Sequence, residues 1–296
     1  MSPVLILTGA TASGKSELAV DLARRFDAEI VGADSRQIYR GMPVGTAAPT
    51  AEQLGLVPHH LVAFLDPYER YSAARFAADA TRAVREIHAR GKRAIVVGGT
   101  GFYLRALTGD VELARHYDPE LRERLRREAA VHGPEFLHAW LALRDARRAS
   151  ALDPHDVYRV VRALEISMTS PPIGDPQTPS SFASANVSFA KVALDVPLAQ
   201  IDARIDRRTD AMLAGGLLEE AERVGARAAA ADAVGYPQAL AYLRGWSSFA
   251  ELRASLARAT RRYARRQRAW FRSEPGVSWI APADVAASAK EILGWV

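Results

Sequence analysis

Short apolar runs recur along the chain at Val4–Thr8, Glu29–Ala33, Arg93–Val97, Ser188–Val196 and Val277–Ile280. They lack the polar alternation of a strand with one wet face, so they read as strands covered on both sides. Between them the period lengthens to that of a helix. Glu17 to Phe26 is amphipathic, and from Ser72 to Arg90 the residues Phe76, Ala80, Val84 and Ile87 form one stripe, with Ser72 placed to cap and Gly91 to stop the helix. Strands separated by helical segments predict an α/β fold with a doubly wound parallel sheet. From Val111 to Asn186 no strand pattern occurs. That stretch offers helices at Pro119–Val131, Pro134–Leu143 and Val157–Met168, then a Pro/Ser/Gly-rich loop from Thr169 to Ala185. The expected organisation is a discontinuous core, 1–112 and 187–296, interrupted by an all-helical insertion at 113–186.

Two strand ends and one loop carry the candidate chemistry. The first strand runs into Gly9-Ala10-Thr11-Ala12-Ser13-Gly14-Lys15-Ser16, a complete G-x-x-x-x-G-K-S phosphate-binding loop. Its backbone N–H groups can turn toward phosphate oxygens, Lys15 adds a point charge, and Ser16 offers a hydroxyl to Mg²⁺ at a helix N-terminus. The ligand class is therefore a di- or triphosphate. The second strand ends at Ala33-Asp34-Ser35-Arg36-Gln37. Asp34 has two readings there: a carboxylate that serves an acceptor group or Mg²⁺, and a cap for its own turn. The strand at Arg93–Val97 ends in Gly98-Gly99-Thr100-Gly101, where a phosphoryl-transfer enzyme of this fold carries an Asp for Mg²⁺. The missing acid weighs against a P-loop kinase of a nucleotide or small metabolite, the alternative reading.

Composition narrows the classes further. The chain of 296 residues has no cysteine, which removes disulfides and thiolate metal sites. Its seven histidines show no metal-ligand spacing, and His59-His60 reads as a local structural pair. No apolar run approaches the ~20 residues that span a bilayer, and the expected location is the cytoplasm. The net charge of +5 is carried almost wholly by arginine. Between Arg258 and Arg272 five further arginines occur without one acid, beside Tyr263, Trp270 and Phe271. A helix of one sign points to a polyanionic partner, with salt bridging or plain solvation open for each arginine taken singly.

Thr8 to Ser16, Asp34-Ser35-Arg36-Gln37-Ile38-Tyr39-Arg40-Gly41-Met42, Gly45-Thr46-Ala47, Pro58-His59-His60-Leu61 and Gly98 to Tyr103 together resemble the tRNA dimethylallyltransferase family. Asp118 to Arg122, Arg159 to Glu165, Arg204 to Arg208, Gly216 to Glu220, Val234-Gly235-Tyr236 and Thr260 to Gln267 continue the resemblance in order. It implies transfer of a dimethylallyl group from dimethylallyl diphosphate to N6 of the adenosine 3′ of the anticodon. Lys15, Arg208 and Mg²⁺ near Ser16 would stabilise the leaving diphosphate, Asp34 would take the amine proton, and Thr100 would hold the amine or the bridging oxygen. The acceptor base has to be turned out of its stack. The resemblance implies tRNA contacts by Asp34, Ser35, Arg36, Gln37 and Thr100; Arg122 and Tyr158-Arg159-Val160-Val161-Arg162 extend the expected footprint on the anticodon stem-loop, and a monomer is expected. The sequence departs from the family pattern at Thr169 to Gly174, at Pro237-Gln238, and at Ala10, which stands where proline is usual.

Overall fold

The computed structural model describes residues 2–111, 118–169 and 181–295. Two compact units emerge, Met1–Val111 with Pro179–Val296, and Glu112–Thr178.

The larger unit starts with β1 (Val4–Thr8), α1 (Lys15–Arg25), β2 (Ala28–Gly32), α2 (Ala51–Leu56), β3 (His59–His60), α3 (Ala73–Ala89), β4 (Arg93–Val97) and α4 (Gly101–Thr108). The smaller unit contributes α5 (Pro119–His132), α6 (Pro134–Arg144), α7 (Ala146–Ser150) and α8 (Val157–Met168). The larger unit resumes with α9 (Phe182–Ala185), β5 (Phe189–Leu194), α10 (Leu198–Ala214), α11 (Leu217–Val224), α12 (Tyr236–Leu243), α13 (Phe249–Ser273), β6 (Val277–Ile280) and α14 (Val285–Leu293).

All strand pairs are parallel, in the order β3-β2-β4-β1-β5-β6. β1 lies between β4 and β5, with Leu5 level with Ile95 on one side and Ala190 on the other. Its residues alternate between two cores: Leu5 and Leu7 pack with α1, α10, α13 and α14, whereas Val4 and Ile6 pack with α3 and α4. Helices on both faces explain why the strands are apolar throughout. From β1 the chain steps to β2 on one side of the sheet and from β4 to β5 on the other, so the strand order switches between β1 and β4, and open α/β sheets bind ligands beyond the carboxyl ends of strands at such a point.

The sequence pattern found β1, β4 and β6 at their observed bounds and missed β3. Two residues give no periodicity; His59 and His60 become a strand by pairing with Ile30 and Val31. The predicted β5 was longer than the observed Phe189–Leu194, because its last residues turn toward Pro197 and α10. In the stretch read as a loop from Thr169 to Ala185, α9 forms under a Ser181–Ser184 capping box, while 170–180, including most of the departure at Thr169 to Gly174, fall outside the described residues. In the helical unit, Leu125, Leu137, Leu141, Val160, Val161 and Leu164 make a core of their own.

Candidate active site

The phosphate loop joins β1 to α1, whose first residue is Lys15. Ala12 adopts φ 62°, a left-handed conformation that costs a non-glycine residue about 1–3 kcal/mol and marks a functional turn. Ala10, standing in place of proline, has its carbonyl bound by Ser13 N–H at 3.2 Å and by Lys15 Nζ at 2.9 Å, so the backbone role is kept. Burial pushes the Lys15 ammonium down to about 8, with Asp34 opposing the shift and Arg208 adding to it. Two arginines from α10 reach the loop. Arg208 donates to Thr11 Oγ1 at 3.1 Å, and Arg204 to the Ser13 and Ala12 carbonyls at 3.0 and 3.4 Å. Burial lowers the Arg208 guanidinium, with Glu17 opposing. Ser13 Oγ is buried and has no hydrogen-bond partner among the described residues.

Ser16 occupies the first turn of α1, partly buried. Among the described residues no group of three His, Asp or Glu side chains is placed to hold a metal ion. A hydroxyl beside a phosphate loop fits Mg²⁺, which keeps waters and takes much of its shell from ligand phosphates.

A second cluster is built from the ends of β2 and β4. Asp34 Oδ1 accepts from the N–H groups of Arg36 at 2.8 Å and Gln37 at 3.4 Å, so the turn-capping reading is realised by one oxygen. No hydrogen bond among the described residues uses Oδ2. Thr100 precedes α4, accepts from Ser35 N–H at 3.0 Å and donates to Ser35 Oγ at 3.4 Å, which fixes the hydroxyl against the aspartate turn. Gly98 permits this, since a Cβ there would sit 2.0 Å from the Ala33 carbonyl oxygen. Tyr103 and Tyr263 lie within the field of Asp34. Burial raises both phenols; beside it, Tyr39 and Asp34 raise Tyr103, and Asp34 raises Tyr263, so both stay neutral beside the carboxylate.

The next two residues are turned to protein partners. Arg36 pairs with Asp232 at 2.9 Å, and the Gln37 amide donates to the carbonyls of Thr46 at 3.2 Å and Ala47 at 2.9 Å. The loop they touch is braced by Glu220, buried, which accepts from Val44 N–H, Gly45 N–H and the Tyr236 hydroxyl at 2.7–2.9 Å. At the other departure, Pro237 sits in the first turn of α12 and Gln238 caps it by accepting from Gly235 N–H at 2.9 Å.

Sequence reasoning missed Gln267. This residue of α13, 6% exposed, accepts from Thr11 N–H at 2.7 Å and donates to the Gly99 carbonyl at 2.9 Å. The fit is close: a Cβ on Gly99 would lie 2.2 Å from its Nε2. Its only signal in the sequence is its place at the end of the Thr260 to Gln267 motif, among arginines.

For four of those arginines the salt-bridge alternative is realised. Asp202 and Asp206 of α10 pair with Arg265 at 2.9 Å and Arg261 at 2.5 Å, and Asp195 pairs with Arg268 at 3.1 Å and Arg272 at 3.3 Å. The acids missing from the helix's own sequence come from elsewhere in the chain. Arg258, Arg262 and Arg266 are exposed and pair with no carboxylate among the described residues. Arg266 lies over the Tyr263 ring, on the side of the helix that feels Asp34.

Within the helical unit, Tyr158 and Arg159 are exposed at the start of α8, whereas Val160 and Val161 are buried in its core. Arg122 and Arg162 both hold the buried Glu165, at 2.6 and 2.7 Å, and the Asp118 N–H donates to the same carboxylate. Of this stretch only Tyr158 and Arg159 are exposed; the two valines are packing residues.

A phosphate loop at the sheet's switch point, facing a carboxylate and a hydroxyl with no strand-end Asp on β4, defines a P-loop group-transfer protein rather than an ordinary kinase. A family model described as IPP transferase matches residues 37–274, and one described as isopentenyl transferase matches residues 2–60. The chain belongs to the IPP transferase family. It is 48% identical to the tRNA dimethylallyltransferase of Anaeromyxobacter dehalogenans strain 2CP-C, over 98% of both chains. Among solved structures, the tRNA isopentenylpyrophosphate transferase of Bacillus halodurans is 33% identical with a TM-score of 0.71 over 99% of this chain and 96% of that one. A eukaryotic dimethylallyltransferase acting on tRNA is 25% identical, with a TM-score of 0.79 over 99% of this chain and 78% of that one. These relatives agree with the prenyl-transfer expectation over the kinase alternative.

Proposed function

We propose that the protein transfers the dimethylallyl group of dimethylallyl diphosphate to N6 of the adenosine 3′ of the anticodon in tRNA, as a cytoplasmic monomer. The observation that carries the reading is the pairing of a phosphate loop with an Asp34–Ser35–Thr100 turn that has one carboxylate oxygen left over. The N6 lone pair attacks C1 of the allyl group as the C1–O bond breaks. Its electron pair leaves with the diphosphate. Lys15, Arg208 and the loop N–H groups hold the charge that grows on the departing oxygens. N6 loses its extra proton to Asp34 Oδ2, while Thr100 orients the amine or the bridging oxygen. Ser16 would hold Mg²⁺, which when bound adds charge stabilisation on the diphosphate.

Arg36 is the first RNA contact in this reading. Its pair with Asp232 is partly exposed, and exposed pairs are worth about 0–1 kcal/mol, so an RNA phosphate can take Arg36 over. Gln37 acts by bracing the turn, Ser35 and Asp34 meet the turned-out nucleotide, and Tyr158 with Arg159 extends the contact in the helical unit, Glu112–Thr178.

A radiolabel transfer assay with dimethylallyl diphosphate and Mg²⁺ tests this. It compares an anticodon stem-loop with consecutive adenosines against one whose acceptor adenosine is replaced. Label in the first RNA alone is expected. Label in neither RNA, with turnover of ATP on small metabolites, would overturn the reading in favour of a kinase. Asp34→Ala should abolish transfer while diphosphate binding stays close to that of the unaltered protein; equal loss of both would remove Asp34 from the base role.

A further inference from the structure

We propose that Gln267 is a positioning residue that sets the separation between the donor loop and the acceptor turn. The inference rests on the prenyl-transfer reading above. One primary amide is shared between the two halves of the site: its oxygen accepts from the Thr11 N–H of the phosphate loop at 2.7 Å, and its nitrogen donates to the Gly99 carbonyl, one residue before Thr100, at 2.9 Å. The Thr11 N–H is thereby kept from phosphate, and the loop is anchored at a fixed distance from the hydroxyl that faces the aspartate turn. Nothing else joins Thr11 to Gly99 by a hydrogen bond among the described residues.

The chemistry makes that distance matter. Transfer requires the N6 lone pair and the breaking C1–O bond to be in line, and a misplacement on the order of 1 Å can cost about 10²-fold in rate. Phosphate binding needs only the loop, and RNA binding only the outer surfaces. The amide also cannot be replaced by a group that bonds in one direction, because one side offers a donor and the other an acceptor. Its burial at 6% exposure, with Gly99 cut away to admit it, keeps the side chain in one rotamer.

The test is single-turnover transfer to the stem-loop by Gln267→Ala and Gln267→Glu, alongside binding of dimethylallyl diphosphate and RNA and thermal melting. Both variants are expected to slow the chemical step by about tenfold or more, with both dissociation constants within about threefold of the unaltered protein. Glutamate keeps the volume but has no donor for the Gly99 carbonyl. If Gln267→Glu transfers normally, or if the whole loss appears as weaker binding, the positioning role is overturned; a loss that matches the unfolded fraction on melting overturns it as well. A double-mutant cycle with Gly99→Ala adds a check, because removing the amide clears the 2.2 Å clash and the two losses should not add. Additive losses would overturn the link through Gly99. Failure of the unaltered protein to label RNA would instead strike the prenyl-transfer reading.

Discussion

Lys15 carries a pH dependence that follows from where the loop places it. Its ammonium loses a proton near pH 8 in the folded chain, against 10.5 as the ordinary lysine value. Over that interval the unfolded state binds more protons, so stability of the ligand-free protein rises with pH. Lys15→Met should abolish that rise in melts run across the range. Diphosphate binding recharges the group, so affinity should fall by up to about tenfold per pH unit above the Lys15 value. Lys15→Arg should flatten the fall, since its guanidinium keeps its proton; calorimetric titration at several pH values reads both. At this scale the sequence was most legible where function is written in a contiguous motif, as in Gly9 to Ser16 or Asp34 to Gln37. Arg204, Glu220 and Gln267 act on backbone groups distant in sequence, and no local pattern marks a side chain whose partner is a remote N–H or carbonyl.

Helix α13 shows the same limit for whole elements. Its length and basic character were plain from the sequence, yet its charge balance was not, because Asp202 and Asp206 face it from α10 and Asp195 from the end of β5. Alternation of apolar and basic positions reports which face is buried, not what the other face meets. The pairing divides the arginines by task. Arg261→Ala and Arg265→Ala should cost about 0.2–1 kcal/mol of stability each and leave RNA affinity and its salt slope unchanged. Arg266→Ala, on the Asp34 side of the helix, should weaken RNA binding and reduce the slope of log affinity against log salt by about one. Filter binding at three salt concentrations separates the two classes. Equal salt slopes for Arg265→Ala and Arg266→Ala would count against this division.

At the scale of the molecule, each unit has its own core, and the helical one is organised on a buried charge. Burial would raise the Glu165 carboxyl, but Arg162, the Asp118 amide and Arg122 together hold it below the ordinary glutamate range. Its contribution to stability is thus complete above the ordinary glutamate value of 4.5 and is lost as pH falls through the depressed one. Glu165→Ala, which removes the buried carboxylate that Arg122 and Arg162 share, should destabilise α5 and α8 by about 3–5 kcal/mol. Hydrogen exchange should show the loss in the helical unit while β1 and β4 stay protected; a uniform loss would mean that the units do not open separately. The wholly apolar strand runs made the sheet core legible in advance, and the absence of a strand pattern from Val111 to Asn186 did the same for the helical stretch, because both are local patterns. Which strands are neighbours was not legible, because β1 takes β5 from beyond the insertion. The clamp on the phosphate loop arrives later still, 256 positions after the residue it holds. A ribosome therefore makes the loop first and its spacer almost last. A copy ended before α13 keeps the loop's motif but loses both this spacer and the α13 and α14 side chains that complete the core against β1, so the contiguous motif alone does not make a working site.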